Sequence, residues 1–303
     1  MNKNKGSMTA LVTAFMRGYH AKHDASPIFD DFLAMELFTK EEQVAFVKNL
    51  AEGMKFLDPQ LAALPGNTET GMQRFMESQT APITLSRSQY TENSLKTALN
   101  HGTQQYVILG AGLETFAFRE KTILQNLEVY EVDHPATQAM KLDRIARAGW
   151  QKPLKLHFVP IDFQKENLAK VLEKSPYNRQ FLSFFSWLGV SYYLPKTSVL
   201  ATLRTIAQIA PKGSTIIFDY IDEAAFIPET TSQRLQRMQS FLTMAGEPMI
   251  TGFNPKTLAK ELKEVGLQLE ENLNPKAIEK RFFQGRRDGY HAYEHFYFAR
   301  AMV

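Results

Sequence analysis

Hydrophobic residues in the first quarter of the chain recur at intervals of three and four positions. From residue 8 to about residue 77, apolar side chains such as Val44 and Val47 follow this spacing, which is typical of amphipathic helices. Prolines interrupt the pattern at Pro27, Pro59 and Pro65-Gly66. A further helix is predicted over residues 88–100, because Gly102 follows it and glycine commonly ends a helix. The pattern therefore predicts a small all-helical cap.

Beyond Gly102 the chain changes to short runs rich in β-branched and aromatic residues, separated by helical stretches. Seven runs are predicted as strands, at residues 105–109, 127–132, 155–160, 181–186, 214–220, 268–272 and 293–301. Helices are predicted between and after them, at residues 135–148, 164–172, 195–210, 230–244 and 255–265. Strands that alternate with helices indicate a doubly wound parallel sheet, to which the last two strands can add an antiparallel edge.

The predicted fold class is α/β: a Rossmann-like, doubly wound, mostly parallel seven-stranded sheet with an N-terminal helical cap. The change of pattern places the domain boundary near residue 85, so that the cap covers residues 1–85 and the Rossmann-like domain covers residues 86–303. The aromatic C-terminal residues 282–283 and 290–298 are interpreted as the packing of an edge strand.

Composition narrows the class of function. The net charge is only +3 and the basic residues are scattered, so the basic stripe expected of a nucleic-acid-binding protein is missing. The absence of cysteine excludes disulfides, thiolate metal sites and a cysteine nucleophile, and fits a reducing compartment. Apolar runs are too short to span a membrane, and Thr9 and Thr13 interrupt a segment that resembles a signal peptide. We expect a cytoplasmic protein without a metal, a membrane anchor or a nucleic-acid partner.

The first predicted strand runs directly into Gly110-Ala111-Gly112. Glycines in such a loop let the backbone approach a ligand, and N–H groups at the start of a following helix favour an anionic group. A dinucleotide-binding loop would carry a third glycine where this chain has Thr115, so the loop fits a ligand smaller than NAD better. A purely structural turn is the alternative interpretation.

Acidic residues follow the next two predicted strands. Glu131 and Asp133 lie roughly 20 residues beyond the loop, where a doubly wound sheet places the group that binds ribose hydroxyls. Asp162 and Phe163 end the third strand, where a carboxylate can accept from an adenine amino group and an aromatic ring can cover the base. Each aspartate has an alternative role as the N-cap of the helix that follows it.

These motifs resemble those of the leucine carboxyl methyltransferase and TcmP-like O-methyltransferase group. The matching segments are Arg17 to His20, Ser26 to Asp31, Arg87 with Tyr90, Val107 to Thr115 with Arg119, Tyr130 to Pro135, Val159 to Asp162, Gly189 to Pro195, and Gly213 with Asp219 and Tyr220. The resemblance covers most of the chain. It implies a class I methyltransferase that uses S-adenosyl-L-methionine.

The resemblance also implies a role for individual residues toward the cofactor. Arg87 would meet the methionine carboxylate, the loop at Gly110 the methionine portion, Asp133 the ribose, and Asp162 with Phe163 the adenine.

Two departures from the family pattern stand out. Glu114 replaces the usual aspartate of the loop motif, which is a mild change. The fourth strand ends in Phe185-Ser186-Trp187 and lacks the acidic residue often found there, so Ser186 or backbone carbonyls would have to meet the methionine amino group.

No catalytic residue can be assigned from the sequence, because methyl transfer from a sulfonium needs orientation and a dry cavity rather than a protein nucleophile. A hydroxyl acceptor would benefit from a base, whereas a carboxylate acceptor needs none. A structural role is the favoured interpretation for each candidate base, namely His20, His134, His157, Tyr192 and Tyr193. Arg17 or Arg204 could pair with an acceptor carboxylate, although a surface role is favoured for both.

The hypothesis is therefore O-methylation of a carboxyl or hydroxyl group, on a small molecule first and on a protein C-terminus second. The alternatives are an NAD(P)-dependent oxidoreductase, which the missing third glycine disfavours, and a non-catalytic module that binds S-adenosyl-L-methionine. The identity of the acceptor and the oligomeric state stay open.

Overall fold

The computed structural model describes residues 6–163, 165–244 and 246–303, and the regular secondary structure in residues 6–100 is entirely helical. The long helices in this part are α1 (Met8–His23), α2 (Lys40–Leu57), α4 (Thr68–Ser78) and α5 (Ala81–Asn100), with the single turn α3 (Pro59–Ala62) between α2 and α4. Side-chain caps fix the starts of α1 to α4, as the reciprocal hydrogen bonds of Thr39 and Glu42 do for α2, whereas α5 has no side-chain cap. The predicted helical cap and its three breaks are present.

After α5, strands alternate with helices. The strands are β1 (Gln105–Leu109), β2 (Glu128–Asp133), β3 (Leu156–Pro160), β4 (Ser183–Trp187), β5 (Thr215–Ile221), β6 (Gln268–Leu273) and β7 (Phe296–Met302). The helices are α6 (Phe116–Arg119), α7 (Pro135–Arg147), α8 (Leu168–Leu172), α9 (Lys196–Ile209), α10 (Gln233–Met244), α11 (Leu258–Glu264) and α12 (Pro275–Ile278).

The seven strands pair in the order β3-β2-β1-β4-β5-β7-β6 within the described part of the chain. The pairings from β3 through β5 are parallel, and β7 runs antiparallel to both of its neighbours. The predicted α/β class and mostly parallel seven-stranded sheet are confirmed. The interpretation of the C-terminal aromatic run as an edge strand is wrong, because β7 lies between β5 and β6 and leaves β6 at the edge.

The starts of two helices differ most from the sequence prediction. The helix predicted to begin at residue 88 begins at Ala81, so the chain passes residue 85 inside α5 rather than in a linker. The helix predicted over residues 164–172 begins at Leu168, with Asn167 as its N-cap, and Gln164 lies outside the described residues. Helix α5 contacts α1 and α4 on one side and β4 and β5 on the other, so it joins the cap to the sheet.

Apolar side chains form a core on each face of the sheet. One cluster combines the cap helices with side chains such as Ile108 and Phe184 of the sheet. The other packs residues such as Leu203 of α9 against Val107 and Trp187. Because the first cluster is continuous from α1 to β7, cap and sheet share one hydrophobic core. No helix in the described ranges is both long and apolar enough to cross a bilayer.

A buried ionic network fixes the cap on the sheet. Asp31, in the segment after α1, is fully buried and accepts from Arg17 Nε at 2.8 Å and from the Thr115 hydroxyl. Arg119 of α6 donates to Thr115 Oγ1 at 2.8 Å and also pairs with Asp31 and with Glu92 of α5. Burial raises the pKa of Glu92 to about 7, and the charge of Arg119 opposes that shift. The network therefore joins two cap segments to the end of the glycine loop.

Replacing Asp31 with asparagine should destabilise the protein strongly. The change keeps the size of the side chain but leaves two buried guanidinium groups, Arg17 and Arg119, without a shared counter-charge. Breaking such a buried pair costs about 3 kcal/mol or more of unfolding free energy. Urea denaturation followed by circular dichroism would measure it. Asp30→Asn, at the exposed neighbouring position, is the matched control, and equal stabilities of the two variants would contradict the network's role.

Candidate functional site

The loop after β1 needs its glycines for conformation and for space. Gly110 and Gly112 have φ of +68° and +54°, in the left-handed region that side chains disfavour. A Cβ atom on Gly110 would lie 2.4 Å from Cγ2 of Val190, in the loop after β4. The backbone N–H groups of Gly110 and Ala111 donate to the carbonyl of Val132 at 2.8 and 3.3 Å. The loop is thus fastened to the end of β2.

The structure brings Asp133 against this loop. Its carboxylate accepts from the backbone N–H of Gly112 and from that of His134. Burial raises the pKa of Asp133, while these two hydrogen bonds lower it. The alternative role of Asp133 as the N-cap of α7 is not realised, because His134 is the N-cap and its Nδ1 accepts from Ala136 N–H. Each carboxylate oxygen keeps a second lone pair for a ligand hydroxyl.

Glu131, two residues earlier on β2, is only 1% exposed and pairs with the ammonium of Lys141 on α7. Lys141 also donates to the carbonyl of Glu114, so it holds the far end of the glycine loop. Burial raises the pKa of Glu131 to about 7, against the opposing charge of Lys141. Its Oε1 is buried and has no hydrogen-bond partner among the described residues. This oxygen can accept a hydrogen bond from a donor that the described chain does not supply.

Asp162 and Phe163 follow β3, beside Asp133. The backbone N–H of Ile161 donates to the carbonyl of Asp133 at 2.8 Å, which keeps the two strand ends together. Asp162 forms an ion pair with Lys165 and does not cap α8, whose N-cap is Asn167. The ring of Phe163 lies 6.2 Å from that of Trp187 at the end of β4.

Arg87 lies on the other side of the loop, at the carboxyl ends of β4 and β5. Its Nη1 donates to Oδ2 of Asp219 at 2.7 Å and to the hydroxyl of Tyr192 at 3.1 Å. The other oxygen of Asp219 accepts from the backbone N–H of Gly189 at 2.7 Å. A Cβ on Gly189, where φ is +72°, would lie 2.6 Å from Arg87 Nη2, so the loop after β4 closes directly on the guanidinium.

Sequence reasoning assigned no role to Asp219. The available signal was a single acidic residue inside an otherwise apolar strand, because such a residue is tolerated in a core only when it is paired. Ser186, the predicted substitute for the missing family acid, is buried within β4 and its Oγ lies 2.9 Å from the hydroxyl of Tyr106. The carboxylate that the structure places at this edge therefore comes from β5 rather than from β4.

Helix α1 covers the glycine loop from above. Arg17 Nη2 donates to the carbonyl of Leu113 at 2.9 Å, and a Cβ on Gly112 would lie 3.2 Å from that of Ala10. Thr9 hydrogen-bonds to Glu247, in the segment after α10. The cap thus covers the loop that contains the predicted cofactor-binding glycines.

The predicted base candidates fall in different places. His157 pairs with Glu128 at the start of β2, on the amino side of the sheet. His20 lies in the cap, where Nε2 accepts from Ile28 N–H and burial lowers its pKa to about 4. Tyr192 and Tyr193 follow β4 beside Arg87, with ring centres 4.7 Å apart.

The two arginines that were considered as partners of an acceptor carboxylate differ in their exposure. The favoured surface role is wrong for Arg17, which is only 7% exposed and is occupied by Asp31 and the carbonyl of Leu113. Arg204 is exposed on α9. The glycine loop and the strand-end acids therefore meet at one edge of the sheet, where His134, Tyr192 and Tyr193 also lie, whereas His20 and His157 lie elsewhere.

Comparison with known proteins agrees with this arrangement. A family model described as leucine carboxyl methyltransferase matches residues 10–207, which include the cap and the first four strands. YktD of Bacillus subtilis (strain 168), whose name is that of an S-adenosyl-L-methionine-dependent methyltransferase, is 37% identical over 100% of this chain and 99% of its own length. A Mycobacterium sp. (strain KMS) protein with the same kind of name is 27% identical over 77% of this chain and 71% of its own.

Among solved structures, a DUF574 family protein from Streptomyces avermitilis MA-4680 shares the fold, with a TM-score of 0.54 and 16% identity over 96% of both chains. The family model, the full-length relative and the glycine loop with its strand-end acids agree with one another. The chain belongs to the leucine carboxyl methyltransferase family, and it is a methyltransferase that uses S-adenosyl-L-methionine.

Proposed function

We propose that the protein transfers the methyl group of S-adenosyl-L-methionine to an oxygen atom, and that the acceptor is a carboxylate of a small molecule. The main support for this proposal is the match to the leucine carboxyl methyltransferase model, which extends over most of the cap and over the glycine loop with its strand-end acids. A hydroxyl acceptor and a protein C-terminal carboxylate are the alternatives within the same reaction class.

The residues at the edge fit the methyl donor. In the proposed binding mode, the ribose hydroxyls lie against Asp133, whose oxygens keep free lone pairs, and against Oε1 of Glu131, which has no hydrogen-bond partner among the described residues. The methionine portion lies between the loop at Gly110 and the guanidinium of Arg87. The remaining strand end, Asp162 and Phe163, holds the adenine.

The protonation states of the candidate bases favour a carboxylate over a hydroxyl acceptor. Burial, followed by the charge of Asp219, raises the pKa of Tyr192, so its hydroxyl stays protonated at neutral pH. Burial likewise raises the pKa of Tyr193 well above its ordinary value. His134 accepts a backbone N–H at Nδ1, so its neutral form carries the proton on Nε2 and offers no free base there. A carboxylate is already an anion near pH 7 and needs no such group.

An acceptor panel tests the reaction class. Small carboxylic acids, the matched primary alcohols and the matched amines would be incubated with the enzyme and the methyl donor. Release of the demethylated product should be seen with carboxylic acids and not with the matched alcohols, because a free carboxylate is already ionised near neutral pH and needs no base. Methylation of the amines alone would contradict O-methyl transfer, and methylation of alcohols alone would favour the hydroxyl alternative.

Replacing Asp133 with alanine should weaken binding of the donor product S-adenosylhomocysteine and of adenosine alike. Both ligands carry the ribose, and the loss of a charged hydrogen bond costs about 1.5–3 kcal/mol, or roughly 10- to 100-fold in affinity. Isothermal titration calorimetry would measure both. Asp143→Ala, at an exposed position of α7, is the control and should bind like the wild type. Unchanged affinity of Asp133→Ala would refute the ribose assignment.

Replacing Asp219 with asparagine should discriminate between the same two ligands. Without its counter-charge, Arg87 keeps only neutral hydrogen-bond partners and is held less firmly at the edge, so S-adenosylhomocysteine, which has the amino acid portion, should bind about tenfold more weakly. Adenosine lacks that portion, and its affinity should not change. Equal loss for both ligands would indicate a general structural defect, and no loss for either would exclude Asp219 as a positioning residue.

A further inference from the structure

A cavity lies in the helical cap, and the glycine loop does not line it. It has a volume of about 680 Å³ and is formed by the end of α1, one face of α2 and the α3–α4 region. None of the proposed donor contacts lines it. This volume falls within the range of about 300–1,000 Å³ that is typical of sites for small molecules.

Helix packing shapes the floor and one wall of this cap cavity. Helices α2 and α4 approach so closely that a Cβ on Gly71 would lie 3.1 Å from that of Ala51, and both residues line the cavity. Tyr19 and His23 stack with ring centres 4.0 Å apart, and both also line it. The cavity therefore has a close-packed floor and a flat aromatic wall.

The cavity exposes apolar surface. Val44 and Leu64 are 70% and 51% exposed, and Val47 and Met54 continue the apolar lining inward. Covering such side chains gains about 25 cal/mol for each Å² removed from water. The lining can therefore accommodate the apolar body of a ligand.

The charges of the lining are mainly positive. Lys22, Lys48 and Lys55 are exposed there, and no ion pair of any of them occurs within the described residues. Arg74 also lines the cavity, but it donates to the carbonyls of Leu64 and Pro65 at 2.8 and 2.7 Å.

Two acidic residues oppose these cations. Glu52 belongs to the lining, and Glu69 on α4 lies close enough to Tyr19 to raise the pKa of that hydroxyl, secondarily to burial. Among the described residues, the three ammonium groups of Lys22, Lys48 and Lys55 therefore outnumber the two carboxylates near them.

We propose that the cap cavity is a binding site for a small amphipathic organic anion, with an apolar body and a carboxylate or sulfonate head. The body packs between the Tyr19–His23 stack and the apolar face of α2, and the head meets Lys22 and Lys48. This site is separate from the sheet edge at which the methyl donor is proposed to bind, which we call the donor edge. The proposal therefore does not depend on whether the methyl acceptor is a carboxylate.

Isothermal titration of the full chain with decanoate tests the proposal, with decyltrimethylammonium as the cation of equal chain length. Decanoate should bind, and the cation should bind at least about tenfold more weakly, because the free charges of the lining are mostly positive. The double variant Lys22→Glu/Lys48→Glu should lose about tenfold or more in decanoate affinity. Equal binding of the two amphiphiles would overturn the proposal.

Two controls locate the binding. The double variant Lys121→Glu/Lys152→Glu makes the same charge change at exposed lysines outside the lining and should bind decanoate like the wild type. Saturating S-adenosylhomocysteine should leave decanoate affinity unchanged. Competition between the two ligands, or equal loss in both double variants, would show that decanoate binds elsewhere and would refute the assignment.

Discussion

Asp31 is fully buried and receives two guanidinium groups, Arg17 from α1 and Arg119 from α6, together with the hydroxyl of Thr115. Buried charges of this kind are tolerated only when they are paired, so displacing Asp31 would remove a counter-charge from both arginines. The segments that carry them come from the cap and from the end of the glycine loop. Through Asp31, the stability of the sheet domain depends on the position of the cap. The hydrophobic core that the cap and the sheet share couples them further.

The geometry of the donor edge depends on that attachment. Once Arg17 is fixed, α1 lies with Ala10 over Gly112, and the glycine leaves the space that this approach requires. Lys141 holds the loop from below by joining the carbonyl of Glu114 to Glu131. Contacts within the protein therefore define the conformation of the loop, and a loop that is held by such contacts loses less binding free energy to ordering.

Sequence patterns predicted the parts of this arrangement that local rules determine. The first strand was predicted to its end residues, because a short apolar run stops at a glycine, and the strand-end acids were placed together because parallel strands end at one edge. Contacts between distant positions were not predictable. Arg17 was assigned to the surface because a charged residue shows no sign of burial without its partner, and Asp219 meets Arg87 across 132 positions of chain. The interior position of β7 likewise depends on strand order, which alternation does not encode.

The carboxylate that lies beside the end of β4 belongs to the neighbouring strand β5. Neighbouring strands lie about 4.8 Å apart, so a side chain from the end of β5 reaches the loop that follows β4, as the bond from Gly189 to Asp219 shows. The edge then carries an arginine and an aspartate side by side, whereas a lone arginine would favour only an anion. The amino acid portion of the methyl donor is itself a zwitterion, so in the proposed binding mode opposite charges face each other at both of its ends. In that binding mode, the carboxylate that balances Arg87 comes from β5 and reaches the loop after β4 because the two strands are neighbours in the sheet.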